Sequence, residues 1–167
     1  KELNEYEYDT AVERITSAIG RFETNANNFY NIFLRNEEFV RGIPIKRMSK
    51  FDRNILRSLN YKKIIAKRRV NYEYLDKIFR DYNLLKLKNN AGLFMYPLLL
   101  DNGRDVKLKL IEEKIYVPTL WPGVLDFNTL TQFERNLVDN LVLLPIDQRY
   151  DIEDMEYIVK VVMKYIM

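Results

Sequence analysis

The chain has 167 residues, 47% of them apolar, with 12 Tyr and 9 Phe, which fits one domain better than two and supplies ample material for a core. It contains neither Cys nor His, which excludes disulfides, thiolate nucleophiles, Ser-His-Asp triads, imidazole acid–base chemistry and Cys/His metal sites within these residues. The net charge of +3 is unevenly spread: residues 41–80 carry 13 Lys/Arg against 3 Asp/Glu, a local +10 between acidic flanks.

The first element reads as one long helix. Thr10 and Glu13 suit a capping box, and Val12, Ile15, Ile19, Phe22, Ala26, Phe29 and Phe33 recur at steps of three and four, a heptad stripe. That stripe fits a coiled coil or, more commonly, an amphipathic helix packed on its own protein. Gly42 ends the helical region and Pro44 delays a restart. A second helix is expected over 49–59, capped by Ser49 with Asp52 in its first turn. Asn60 breaks the chain, and a third helix runs over about 61–82 with Ile64, Ile65, Leu75, Ile78, Phe79 and Tyr82 on its apolar face.

The period then changes. Residues 93–100 read as a strand placed at an edge or bulge by Pro97. Asp105 is expected to cap a short helix to about Lys114. Residues 115–121 read as a second strand, 129–140 as a helix, and 141–144 as a third strand closed by Pro145. Asp151 and Asp154 open a last helix with Ile152, Met155, Ile158, Val159, Val162 and Ile166 buried. The expected fold is α/β (α+β): a small sheet of about three strands covered by helices, behind a long N-terminal helical region.

No stretch of about 18 apolar residues exists to span a membrane, and no signal peptide precedes the first helix. The chain starts at Lys1 rather than Met, and a fragment of a longer cytoplasmic protein is expected. The basic residues from Lys46 to Arg69 would suit phosphate neutralisation by a helix pair. A solvated face, or one docked on an acidic neighbour, explains them as well, and nucleic acid is not an expected partner. Neither GxGxxG nor GxxxxGK[ST] is present, so no nucleotide cradle is expected, and no carboxylate spacing suits a metal.

The segment from Leu144 to Asp151 is the most site-like, because it follows a strand and precedes a capped helix, where α/β sheets commonly meet ligands. Arg149 there can grip a carboxylate or phosphate with two parallel hydrogen bonds. It can equally pair with Asp147 or Asp151 and tie the loop; spacing leaves both open. Trp121, the single Trp, either stacks on a ligand or fills the core at a Pro-bounded turn, the commoner case. Gln148, Arg149, Tyr150 and Trp121 are the candidate substrate-binding residues.

Three stretches resemble the C-terminal part of pyridoxal-phosphate-dependent sugar aminotransferases of the DegT/StrS type: Val117-Pro118-Thr119-Leu120-Trp121-Pro122, the LPIDQRY run ending at Tyr150, and Asp151-Ile152-Glu153-Asp154-Met155. Lys67-Arg68-Arg69-Val70-Asn71-Tyr72 with Leu75 is similar to a helix of an aminotransferase-like branch of that fold, and 93–100 to its first small-domain strand. The resemblance spans residues 43–166. It implies a fold-type-I protein whose large domain, expected upstream, carries the Schiff-base lysine, the aspartate on the pyridine nitrogen and the phosphate cup. This chain is then expected to hold no catalytic residue and to bind no pyridoxal phosphate alone. Residues 1–42 would form a long connecting helical region and 43–167 the small C-terminal domain of a homodimer that transfers an amino group to a keto sugar or similar small carbonyl substrate. The alternative is a non-catalytic binding or assembly module of the same fold. Arg47-Met48-Ser49 match the family's N-x-R-M-S motif, whose Asn reaches the cofactor phosphate of the neighbouring subunit; Ile45 stands at that Asn position here.

Overall fold

A cluster of apolar side chains on two strands and three helices forms the core. The structure, a computed structural model, describes residues 9–24, 27–42, 44–86 and 94–167. They fall into two compact units, Lys1–Leu59 and Asn60–Met167.

In the first unit, α1 (Asp9–Glu23) and α2 (Tyr30–Gly42) pack against each other, with a 3-10 turn at Asn27–Phe29 between them. The single long helix expected from the heptad stripe is therefore two helices folded back. Their joint is close: a Cβ on Gly20 would lie 2.2 Å from the Phe29 ring, so only glycine lets the ring seat there. The side chains of Thr10 and Glu13 lie outside the described residues, and so does Ala26 of the stripe. Helix α3 (Lys50–Ser58) starts as its sequence predicts: the Ser49 hydroxyl accepts from the Asp52 amide at 3.0 Å and donates to the Asp52 carboxylate at 2.8 Å.

The second unit holds α4 (Tyr61–Phe79), β1 (Met95–Leu99), α5 (Gly103–Glu112), α6 (Gln132–Asn140), β2 (Leu141–Pro145) and α7 (Ile152–Ile166). Strands β1 and β2 pair antiparallel, Tyr96 opposite Leu144 and Leu98 opposite Val142. Period-2 alternation sends these four to one face, where they meet Leu75 and Phe79 of α4, Val106 and Leu110 of α5 and Met155 and Val162 of α7. Ile65 and Tyr82, expected on the buried face of α4, are exposed, because the core lies against Tyr72, Leu75 and Phe79 instead.

The fold is α+β as expected, but the sheet has two strands, not three. Residues 115–121 are irregular, and two local features and one distant one explain why. Lys114 takes a left-handed conformation, φ 63°, and ends α5 in a Schellman motif: Ile115 donates to Leu110 at 2.8 Å and Lys114 to Ile111 at 3.0 Å. Trp121 is left-handed too, φ 50°. The outer edge of β1 is already taken by buried Asn83, whose amide donates to Pro97 O at 2.8 Å while its carbonyl accepts from Leu99 at 3.0 Å. That leaves no edge of β1 open to a third strand.

Asp105 is not the cap of α5; it lies in the first turn, and Asn102 precedes the helix without a side-chain cap. Gly103 is there because nothing larger fits: a Cβ would lie 1.8 Å from Asn140 O. Thr131 with Glu134 and Asp151 with Asp154 form full capping boxes on α6 and α7.

Candidate functional site

The loop from Ile146 to Asp151 links β2 to α7 and carries three of the four predicted site residues. Its backbone is fastened from below by α4. Asn71, fully buried, donates through Nδ2 toward the carbonyls of Tyr150 at 3.0 Å and of Ile146 and Asp147 at 3.3 Å. A turn closes above it, Tyr150 N–H donating to Asp147 O at 3.2 Å and Arg149 N–H to Asp147 Oδ1 at 3.1 Å, the Asx geometry that Asp favours. The loop backbone is thus fastened both to α4 and to itself.

The Arg149 guanidinium meets Asp147 in a two-pronged pair, Nε to Oδ1 and Nη2 to Oδ2, both at 2.8 Å. Its side chain is still 69% exposed, so water screens the pair. The hydrogen bonds from Arg149 hold the Asp147 carboxyl below the usual carboxylate range, against the opposing effect of its own burial. The guanidinium lies over the Tyr150 ring, 5.6 Å from its centroid. Gln148 Oε1 accepts from Arg68 Nε at 3.1 Å. Gln148, Arg149 and Tyr150 therefore share one rigid platform, and the Arg149 fork faces Asp147 at a solvent-open position.

Trp121 belongs to another neighbourhood. It precedes the 3-10 turn Pro122–Asp126 and is 69% exposed, so the core-Trp reading fails. The left-handed backbone before Pro122 explains this: it turns the indole out of the packed layer at some conformational cost. Trp121 borders an apolar hollow of about 150 Å³ on the far face of the sheet, with Leu120, Val124, Leu137, Val138, Leu141 and Leu143.

Two residues of the loop site were not picked out from the sequence. Arg68 and Asn71 fall in register with Leu75 and Phe79 on α4, and polar residues on an otherwise apolar stripe are the signal that marks them.

Among the described residues one lysine is buried, Lys107. Lys107 Nζ donates to Val138 O at 3.2 Å, with Thr119 Oγ1 at 3.4 Å, and burial pushes its pKa down. Ile45, at the family's Asn position, is 84% exposed. Among the described residues no group of three or more Asp/Glu is placed to hold a metal, and no helix is long and apolar enough to cross a membrane.

No protein-family model matches the sequence, and no curated protein matches it by sequence. Solved structures do resemble the fold. The chain is similar to the sugar aminotransferase CalS13 from Micromonospora echinospora, with a TM-score of 0.53 and 14% identity over 64% of this chain and 32% of that one. A DegT DnrJ EryC1 StrS aminotransferase from Brucella abortus gives a TM-score of 0.49 and 15% identity over 61% and 31%. The chain spans about a third of the length of either protein. At such identities the likeness is one of fold: this chain is built like part of a sugar aminotransferase.

Proposed function

We propose that this chain serves as the small C-terminal domain of a pyridoxal-phosphate-dependent, fold-type-I sugar aminotransferase-like protein, a cytoplasmic homodimer that transfers an amino group to a keto sugar or similar carbonyl compound. The observation that carries the reading is the fold shared with the sugar aminotransferase over 64% of the chain. The resemblance of the 117–122 and 144–155 segments supports it. On this reading the cofactor, its lysine and its phosphate cup belong to an upstream large domain, and residues 1–42 connect the two. This chain binds and orients substrate. Arg149 presents its guanidinium to an anionic group of the substrate and Gln148 and Tyr150 flank that group, while Trp121, in another neighbourhood, offers its exposed indole to a separate contact.

The test is made on the full-length parent. Arg149→Lys keeps the charge but loses the planar fork, and losing a charged hydrogen bond costs about 1.5–3 kcal/mol, a tenfold to hundredfold loss in substrate affinity or turnover. A fall in melting temperature with substrate binding untouched would make Arg149 a structural tie. A parent in which borohydride traps no lysine–cofactor adduct would overturn the aminotransferase reading in favour of a non-catalytic binding or assembly module.

A further inference from the structure

The Arg149 loop is half of a larger constellation, and α4 supplies the other half. Arg68 places its guanidinium over the Phe94 ring, 5.8 Å from the centroid, while its Nε is held by Gln148 at 3.1 Å. Arg149 is held in the same manner, Nε on Asp147 and guanidinium over Tyr150. Each cation is thus pinned along one edge and backed by an aromatic ring. Such pinning fixes the plane in advance and lowers the ordering cost when a ligand arrives. Among the described residues no acceptor meets either Nη of Arg68 or the Nη1 of Arg149.

The two cations share one counter-charge. Asp147 is depressed chiefly by Arg149 and, through space, by Arg68 as well. Two guanidiniums against one carboxylate leave an excess positive charge facing solvent. The spacing between them is secured by Asn71, one helical turn beyond Arg68, whose amide reaches three carbonyls of the Arg149 loop. Helix and loop are therefore tied together through one buried side chain.

We propose that Arg68 and Arg149 form a single oxyanion site, one guanidinium from α4 and one from the loop after β2, and that the group it takes is phosphoryl. This rests on the reading above in which Arg149 faces ligand, and adds the second arginine and the ligand class. Charge and the number of acceptors select the class. A carboxylate brings one negative charge, whereas a phosphoryl group in free phosphate or a monoester brings about 1.5–2 and three acceptor oxygens, enough to meet the unmatched N–H groups of two guanidiniums.

The experiment uses the whole 167-residue chain, inorganic phosphate and acetate at matched ionic strength, and the side-chain Nε–H resonances of Arg68 and Arg149. Phosphate is expected to shift both resonances in one saturable titration. Arg68→Gln should weaken phosphate by about tenfold or more, the cost of a charged hydrogen bond, and Arg68→Lys by less, while acetate binds more weakly throughout and barely notices either change. Arg68→Lys keeps the stem and charge, so a folding defect in the Gln variant would not decide the matter. Should phosphate shift Arg149 alone, or bind both variants as it binds the unaltered chain, the shared site is overturned and Arg149 stands as a single contact. Acetate binding as tightly as phosphate would overturn the phosphoryl assignment. If neither resonance moves, both this site and the ligand role of Arg149 fall together.

Discussion

The two units use the same helical pattern to different effect. In Asn60–Met167, apolar stripes on α4, α5 and α7 close over a strand pair, and every buried apolar side chain among the described residues lies there. In Lys1–Leu59 the described buried residues are Ser17 and Ser49, while Val12, Ile19, Phe39 and Val40 are exposed. Amphipathic periodicity alone does not make a core. Closure needs a second layer, and the second unit has one because β1 and β2 turn Tyr96, Leu98, Val142 and Leu144 toward the helices. Among the described residues of the first unit, α1 and the turn after it meet closely at Gly20 and Phe29.

The strongest way to break this comparison is to truncate one aliphatic side chain in each unit. Leu75 is fully buried, and Leu75→Ala should cost about 2–5 kcal/mol, the lost transfer energy plus a cavity. Ile19→Ala, on the exposed flank of α1, should stay within about 0.5 kcal/mol. Urea unfolding of each variant decides it, and equal costs would mean that the hairpin contributes as much to stability as the strand-backed core does. The glycines sharpen the same contrast at smaller scale. Both sites are too tight for a Cβ, but Gly103 abuts the Asn140 backbone whereas Gly20 meets a ring that can rotate. Gly103→Ala should cost about 1–3 kcal/mol of overpacking. For Gly20→Ala, the loss is offset by about 1 kcal/mol of helix propensity, so thermal melts should separate the two.

The smallest effect is a slope, and it belongs to the second unit alone. Burial disfavours the Lys107 ammonium, so its folded pKa lies below the ordinary value of 10.5. Between those two values the unfolded chain holds a proton that the folded chain has released, so this residue makes stability rise with pH across that window. Met carries no proton, and Lys107→Met should flatten the rise. Parallel stability–pH curves for the two proteins would show instead an amine as well solvated as a surface lysine.

What was legible in the sequence was what short-range chemistry decides. Ser49 and Asp151 cap helices because a side-chain oxygen reaches amides two or three residues on. The strands at 95–99 and 141–145 follow from apolar runs bounded by turn residues. What failed was partner choice. Residues 115–121 have strand composition, but left-handed Lys114 and Trp121 bound them, and Asn83 occupies the outer edge of β1. The heptad stripe was regular enough to hide the turn after Glu23, although the asparagines that follow are turn formers. The site divided the same way. The loop announced itself between Pro145 and Asp151, whereas Arg68 and Asn71 reach it from about 80 residues away, a pairing no local pattern encodes.

The outward turn of Trp121 makes the chain its own optical reporter. With one indole in the sequence and that indole mostly in water, fluorescence emission arises from a single position beside the apolar hollow. Emission should be red-shifted and readily quenched by iodide, and anything that settles over that face should move it to the blue and shield it. An event at the Arg149 loop that stayed local would leave the colour unchanged. One lamp thus separates ligands that occupy the hollow from those that occupy the arginines, with no label added.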